Sequence, residues 1–139
     1  MEPSADVTAR TALDVVRAYV AAVNAGDGDA VRRLFHFPHI RFRDQGKLTV
    51  YQTGDDYRPE HFIQLTARDG WHHSGLDAND AVLVTPDKVH VRTRFTRYRA
   101  DDSVIGSYET LYIVVKRDDR WGIQGASGNG VKSRSASQK

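Results

Sequence analysis

The sequence contains no cysteine, which excludes disulfides, thiolate metal sites and cysteine nucleophiles. No apolar run is long enough to span a bilayer, so no membrane is expected as a partner. The start, MEPSADVTAR, has no basic segment followed by an apolar core; no secretory signal is expected, and the cytoplasm is the default compartment. An excess of one charge is also missing. The net charge is +2 although the pI is near 9.0, and the basic residues are spread out or interleaved with acids, which does not favour a nucleic-acid partner. There is no P-loop or dinucleotide fingerprint and no nucleophile elbow around a serine. The glycines of GASGNG near the end precede no helix and read as tail. What is left is a chain of 139 residues, 40% hydrophobic and 27% charged, which suits one globular domain with one core.

The organising stretch is ALDVVRAYVAAVNAGDGDAVRRLF, Ala12 to Phe35. Leu13, Val16, Val20 and Val23 recur at helical spacing and predict one apolar face. Asn24, Ala25 and Gly26 predict the helix end, since glycine accepts the left-handed conformation that closes a C-terminus. Asp27 predicts the cap of a second, short helix whose apolar edge is Val31, Leu34 and Phe35. In HFPHIRFRDQGKLTVY, Ile40 and Phe42 alternate with Arg41 and Arg43 and predict a half-buried strand, turned at Gln45-Gly46 and followed by a short return strand with Leu48 and Val50. Pro59 fits the first turn of a third helix, with Phe62, Ile63 and Leu65 inward and a stop at Asp69-Gly70.

From Trp71 the period changes to two. Four strands are predicted: Trp71 to Val84, Lys88 to Arg99, Val104 to Lys116, and Arg120 to Ala126. Their short connections imply antiparallel neighbours. Arg92, Arg94, Arg97 and Arg99 divide between the two faces of one strand, as solvated or interface positions, with phosphate binding as the alternative. In SYETLYIVV both strand faces are apolar or aromatic, so both are expected to be covered. Helices can cover one face. A second subunit is the simplest cover for the other, giving a homodimer; extra internal cover in a monomer is the alternative. Residues 1–7 are expected to be a flexible leader, 8–126 the domain and 127–139 a disordered tail.

The order of two helices, a short strand pair, a third helix and an antiparallel run resembles the nuclear transport factor 2-like superfamily, in its bacterial SnoaL-like branch. The resemblance runs from Ala12 to Ala126. It rests on AYVAAVNAGDGDAVRRLF, on the aromatic- and proline-marked entry to a strand ending in Asp44, and on the hairpins VHVRTRFTRYRADDSVIGSYETLYIVVKRDDRWGIQ. It implies an α+β cone, in which a curved, mainly antiparallel sheet wraps around three helices and encloses a pocket for a small apolar or aromatic molecule. That superfamily holds isomerases, dehydratases, cyclases and non-catalytic adaptors, so the fold does not decide the chemistry.

The resemblance also implies roles for particular residues. Asp44 extends the Ile40, Phe42 face and matches the proton-abstracting aspartate of the steroid isomerase members, allowing one inserted residue. An aspartate in an apolar cone is a stronger base, because burial disfavours its charged form; the plain alternative is a residue that opens the Gln45-Gly46 turn. Tyr19 matches a tyrosine that donates a hydrogen bond to an oxyanion, or else is a core aromatic. The second oxyanion donor of those enzymes falls at Leu111 or Ile113, which cannot donate, so half of that oxyanion hole is missing here. With that strand parity, Glu109 and Gln124 also look into the pocket. His73, at a strand start, is the preferred pocket histidine. Trp71 and Trp121 are read as wall or interface, with Trp71 counted among the substrate-binding residues. His36 and His39 flank Phe37-Pro38 without an evident third ligand, so no metal is expected, nor any cofactor. The resulting expectation is a small-molecule pocket protein, a cofactor-independent isomerase, cyclase or dehydratase with Asp44 as base and Tyr19 as donor, or alternatively a non-catalytic ligand-binding or protein-interaction module.

Overall fold

A computed structural model describes residues 3–58 and 60–128, with the side chains at 61–63, 65 and 66 left out of the description. The expected inward face of the third helix at Phe62, Ile63 and Leu65, the placement of Pro59, and most of the expected tail therefore lie outside what is described. Helix α1 spans Ala5–Asn24, α2 Gly28–Leu34 and α3 Glu60–Asp69. The strands are β1 (Phe35–Phe42), β2 (Leu48–Tyr51), β3 (His73–Val84), β4 (Lys88–Tyr98), β5 (Val104–Arg117) and β6 (Arg120–Gly128). They form a curved six-stranded sheet in the order β2-β1-β6-β5-β4-β3. Every neighbouring pair is antiparallel except β1 with β6. This is an α+β cone whose helices sit in the concavity of an unclosed sheet. Among the described residues no helix is long and apolar enough to cross a membrane.

Local chemistry sets the helix boundaries. Ser4 caps α1 by accepting from the Val7 amide at 3.2 Å, so the helix begins inside the segment expected to be a leader. At the other end Asp27 N–H bonds to Ala22 O and Gly26 N–H to Val23 O, with Gly26 at φ +66°. That is the paired closure a left-handed glycine permits. The Asp27 carboxylate then accepts from the Ala30 amide at 3.1 Å and caps α2, an interaction worth about 1 kcal/mol. Asn24 fastens this corner to the sheet: its amide donates to Ser74 O at 2.9 Å and accepts from Ser74 N–H at 2.7 Å. The core closes between α1 (Ala12, Val16) and the concave face of the sheet (Val89, Val91, Tyr112, Val114, Ile123), with Val31 and Phe35 beside it.

Two strands present the face opposite to the one their hydropathy pattern suggests. Phe35 is the first residue of β1, not the end of α2. The register of β1 with β6 shifts between Phe35 and Ile40, and this irregularity re-aims the strand. Beyond it His39 is fully buried and Arg41 lines the interior, while Phe42 is 51% exposed on the outside. In β5 the buried residues are Gly106, Thr110, Tyr112 and Val114. Leu111, Ile113 and Glu109 therefore alternate onto the outer face, contrary to the parity that placed Glu109 in the pocket.

Candidate functional site

The concavity of the sheet and the C-terminal half of α1 enclose a cavity of about 430 Å³. Tyr19, Val20 and Val23 line it from α1, Arg41, Arg43 and Asp44 from the β1 end, Trp71 and Ser74 from the β3 entry, and Phe95, Arg97, Tyr108, Thr110 and Tyr112 from β4 and β5. The helical spacing of Tyr19 and Val23 follows the stripe begun by Ala12 and Val16. Successive inward positions of β5 supply Tyr108, Thr110 and Tyr112.

Arg41 is the most unusual group in this wall. Its Nε–H donates to His39 Nε2 at 3.1 Å, and Nη2 donates to the Tyr19 hydroxyl at 3.1 Å. The guanidinium carbon lies 5.9 Å from the Tyr19 ring centre and 5.8 Å from that of Phe35. No carboxylate pairs with it: the ion pairs among the described residues are Arg17–Asp14, Arg32–Asp29, His73–Asp102 and Arg92–Glu109. Burial acts to lower the Arg41 pKa, but the phenols of Tyr19 and Tyr112 beside it more than offset this and hold it above its ordinary value. Arg41 is a cation at every working pH.

His39 orients this cation. It stacks on Phe35 with ring centres 3.8 Å apart. Burial, and then the neighbouring Arg41 charge, lower its pKa to about 3, against the opposing effect of its bond to Ile123 O. The ring is neutral. Its Nδ1–H donates to Ile123 O at 3.1 Å, which fixes the tautomer and leaves Nε2 as the acceptor for Arg41. The Tyr19 oxygen accepts from Arg41, so its own O–H is left to donate elsewhere. Tyr112 meets the Tyr19 ring edge-on at 5.6 Å, and burial pushes its phenol above the usual range.

Three other arginines line the same cavity. Arg43 donates to Thr49 Oγ1 at 2.7 Å. Arg97 lies 4.6 Å over the Tyr108 ring, which itself stacks on Phe95 at 5.5 Å. With Arg68, the lining carries four arginines against one aspartate, and none of the four has a carboxylate within ion-pair distance among the described residues. The wall is therefore aromatic in shape and positive in field.

The residues singled out from the sequence fall into two groups. Tyr19, Asp44 and Trp71 share the cavity. Asp44 is exposed and opens a 3-10 turn, Asp44–Gly46, because the strand preceding it turns Ile40 and Phe42 outward. Trp71 is buried and its indole N–H donates to Ser74 Oγ at 2.9 Å. The others do not line this cavity. His73 stacks on Tyr98 at 5.1 Å and lies 3.4 Å from Asp102. Glu109 pairs with Arg92 in a shallow depression on the outer face. Gln124, where β6 slips register against β5, bonds to Arg117 and to Pro38 O. Leu111 and Ile113, expected at the second oxyanion position, also face outward; Thr110 and Tyr112 hold the inward places. His36 bonds through Nε2 to Val115 O and Arg120 O. Among the described residues no three of His, Asp and Glu converge as metal ligands. Sequence reasoning missed Arg41 and weighed His39 only as a metal ligand; the one cue to their inward places is the Phe37-Pro38 pair just before them, where a strand commonly breaks its alternation.

Residues 10–129 match the family described as NTF2-like protein (DUF6841). The chain belongs to this NTF2-like family. No curated protein matches it in sequence. Solved structures resemble the NTF2-like chain over nearly its whole length. A ketosteroid isomerase-like protein from Erwinia carotovora atroseptica is 18% identical, with a TM-score of 0.65 over 86% of this chain and 92% of that one. A protein of unknown function with a cystatin-like fold from Nostoc punctiforme is 12% identical, with a TM-score of 0.71 over 96% and 97%. A nuclear transport factor 2 superfamily protein from Salmonella enterica is 13% identical, with a TM-score of 0.67 over 98% and 99%. At these identities the likeness is one of fold.

Proposed function

We propose that this NTF2-like cone is a small-molecule pocket protein whose ligand has an aromatic or apolar body. The observation that supports the reading is the cavity itself: about 430 Å³, inside the range of roughly 300–1,000 Å³ typical of small-molecule sites, walled by Tyr19, Trp71, Phe95, Tyr108 and Tyr112. Trp71 makes it testable. An aromatic ligand entering the cavity changes the Trp71 emission, and Val20→Trp, which fills the space from α1, removes the response to that ligand. Equal binding by both chains sinks the reading.

Acid–base chemistry is the second reading, and it rests on Asp44 and Tyr19 lining one cavity. Asp44 takes a proton from the carbon beside a ligand carbonyl, and the Tyr19 O–H stabilises the resulting enolate oxygen. In deuterated water the chain then exchanges the α-hydrogens of a bound aryl ketone such as phenylacetone, and Asp44→Asn slows the exchange at least about 100-fold, the scale of a general base. Exchange unchanged in Asp44→Asn leaves a binding protein that is not an enzyme of this kind.

We also propose a homodimer through the outer face of the sheet. Pairing across the strands aligns Ile113, Gly125, Ile40 and Val50 in one row and Leu111, Ser127, Phe42 and Leu48 in the next. Phe42 is 51% and Leu48 58% exposed, and a contiguous apolar surface of this kind calls for a cover. A twofold copy offers the same surface in return. Phe42→Glu is expected to convert the dimer to a monomer in light scattering at an unchanged circular-dichroism spectrum. A wild-type chain that is monomeric at 100 μM (about the top of ordinary working concentrations) excludes this interface.

A further inference from the structure

We propose that the ligand of the cone carries a carboxylate, received at the inner wall by the terminal nitrogens of Arg41 and by the Tyr19 hydroxyl. This rests on the small-molecule reading above and names the chemical class of that molecule. A guanidinium has five N–H donors. In Arg41 one goes to His39 Nε2 and one to Tyr19. Both partners are neutral, so the positive charge is oriented but not compensated. No buried side-chain nitrogen or oxygen among the described residues lacks a partner, so the unbonded Nη1 is not sealed in the core, and Arg41 lines the cavity.

A half-buried guanidinium that lines a partly enclosed cavity with its charge uncompensated favours an anion there, and none of the described carboxylates supplies it. Asp44, the nearest in sequence, makes no ion pair with any arginine. The planar fork of a guanidinium matches the two oxygens of a carboxylate. Tyr19 completes the arrangement: because its oxygen accepts from Arg41, its proton is free to point at the same anion. The neutral, tautomer-fixed His39 behind Arg41 turns the fork without neutralising it. Arg43, Arg68 and Arg97 add attraction toward an incoming anion, while Trp71 and the stacked Phe95–Tyr108 pair offer flat surface for an apolar or aromatic body. Arg41 and Tyr19 are thus binding residues for the acid group, distinct from the role of Asp44.

The test uses benzoate, phenylacetate and cinnamate, each paired with its primary amide, with phenylphosphonate as a further probe. Binding to the full chain is measured by Trp71 fluorescence and by calorimetry. The expected result is that the best acid binds at least 10-fold more tightly than its amide, that Arg41→Met brings the two within about threefold by weakening the acid alone, and that Tyr19→Phe weakens the acid by a smaller factor. Acid and amide binding equally well to the wild-type chain overturns the carboxylate assignment and leaves the pocket reading standing; this comparison needs no variant to fold. Tighter binding of phenylphosphonate than of every acid also overturns it, in favour of a phosphoryl group. If no acid, amide or phosphonate binds, the pocket reading fails and the inference fails with it.

Discussion

Replacing Arg41 by methionine is expected to remove the preference for an acid over its amide while leaving the fold as stable as before, or more so. Truncating one partner of a close, desolvated charge pair weakens binding by about 2–5 kcal/mol, so affinity for the best aromatic acid falls at least about 30-fold. Stability follows a different balance. Arg41 stands half-buried at the inner wall without a counter-ion among the described residues, and removing a partly desolvated cation relieves some of a cost that reaches several kcal/mol for a fully buried ion. Against this, His39 Nε2 loses its donor, which costs about 1–3 kcal/mol. The methionine stem fills the space with a flexible apolar chain. Urea unfolding should therefore show a change of less than about 1 kcal/mol, or a gain, at unchanged slope. That pairing of lost binding with kept stability is the signature of a residue retained for function at the expense of the fold. A loss of more than about 3 kcal/mol would make Arg41 a structural residue instead.

The second large effect is acid sensitivity through His39. Its folded pKa of about 3 lies below the ordinary 6.5, so the unfolded chain binds the proton first as the pH falls. Stability is complete above pH 6.5, declines as the pH drops below that value, and stops declining near pH 3, where the folded ring also takes a proton. At 1.36 kcal/mol per pH unit, the loss between pH 6.5 and 4.5 is about 2–3 kcal/mol from this one group. His36, lowered by burial in spite of its backbone bonds to Arg120 and Val115, acts in the same direction. Urea titrations at the two pH values measure the total. In His39→Gln, whose amide can still accept from Arg41, the difference between the two pH values shrinks by the His39 share. The ring resonances of His39 should stay in the neutral position down to about pH 4. A His39 titrating near 6.5 would show that the ring is not held neutral, and would remove its part in orienting Arg41.

The two effects are linked by geometry. Protonating His39 takes away the lone pair that accepts from Arg41 Nε–H and sets two cations against each other. In the folded chain that step comes only near pH 3, the low end of the range over which the His39 stability is lost. The neutral ring keeps the fork oriented wherever the folded chain persists above that value, since a buried histidinium beside an arginine would set like charges together.

Several parts of this molecule are written in short stretches of sequence, because the forces that set them are local. The glycine at 26 closes α1 through backbone bonds, and Asp27 opens α2 through its carboxylate, all between groups within five residues of each other. The turns after β4 and β5 are of the same kind: Asp102, Asp118 and Asp119 hold positive φ, where aspartate is tolerated better than most residues. The period of two from Trp71 onward predicts the antiparallel run, and the family resemblance carried by the order of helices and strands implies the cone.

Which face of a strand looks inward was settled by tertiary structure alone. Side chains alternate with period two, so a single irregularity reverses every residue beyond it. In IRFR, hydropathy points Ile40 and Phe42 into the core. The register shift near Phe37-Pro38 turns them out, onto an outer face that is itself apolar, and turns Arg41 in. In SYETLYIVV both faces are hydrophobic, and the pattern could not choose between Leu111 and Tyr112; packing against α1 chose Tyr112. Tyr19 was singled out through the family resemblance rather than from spacing, and it lines the cavity because α1 is regular there and has no alternation for an irregularity to reverse. Arg41 was not, because an arginine among apolar residues reads as surface until the fold shows no carboxylate paired with it among the described residues.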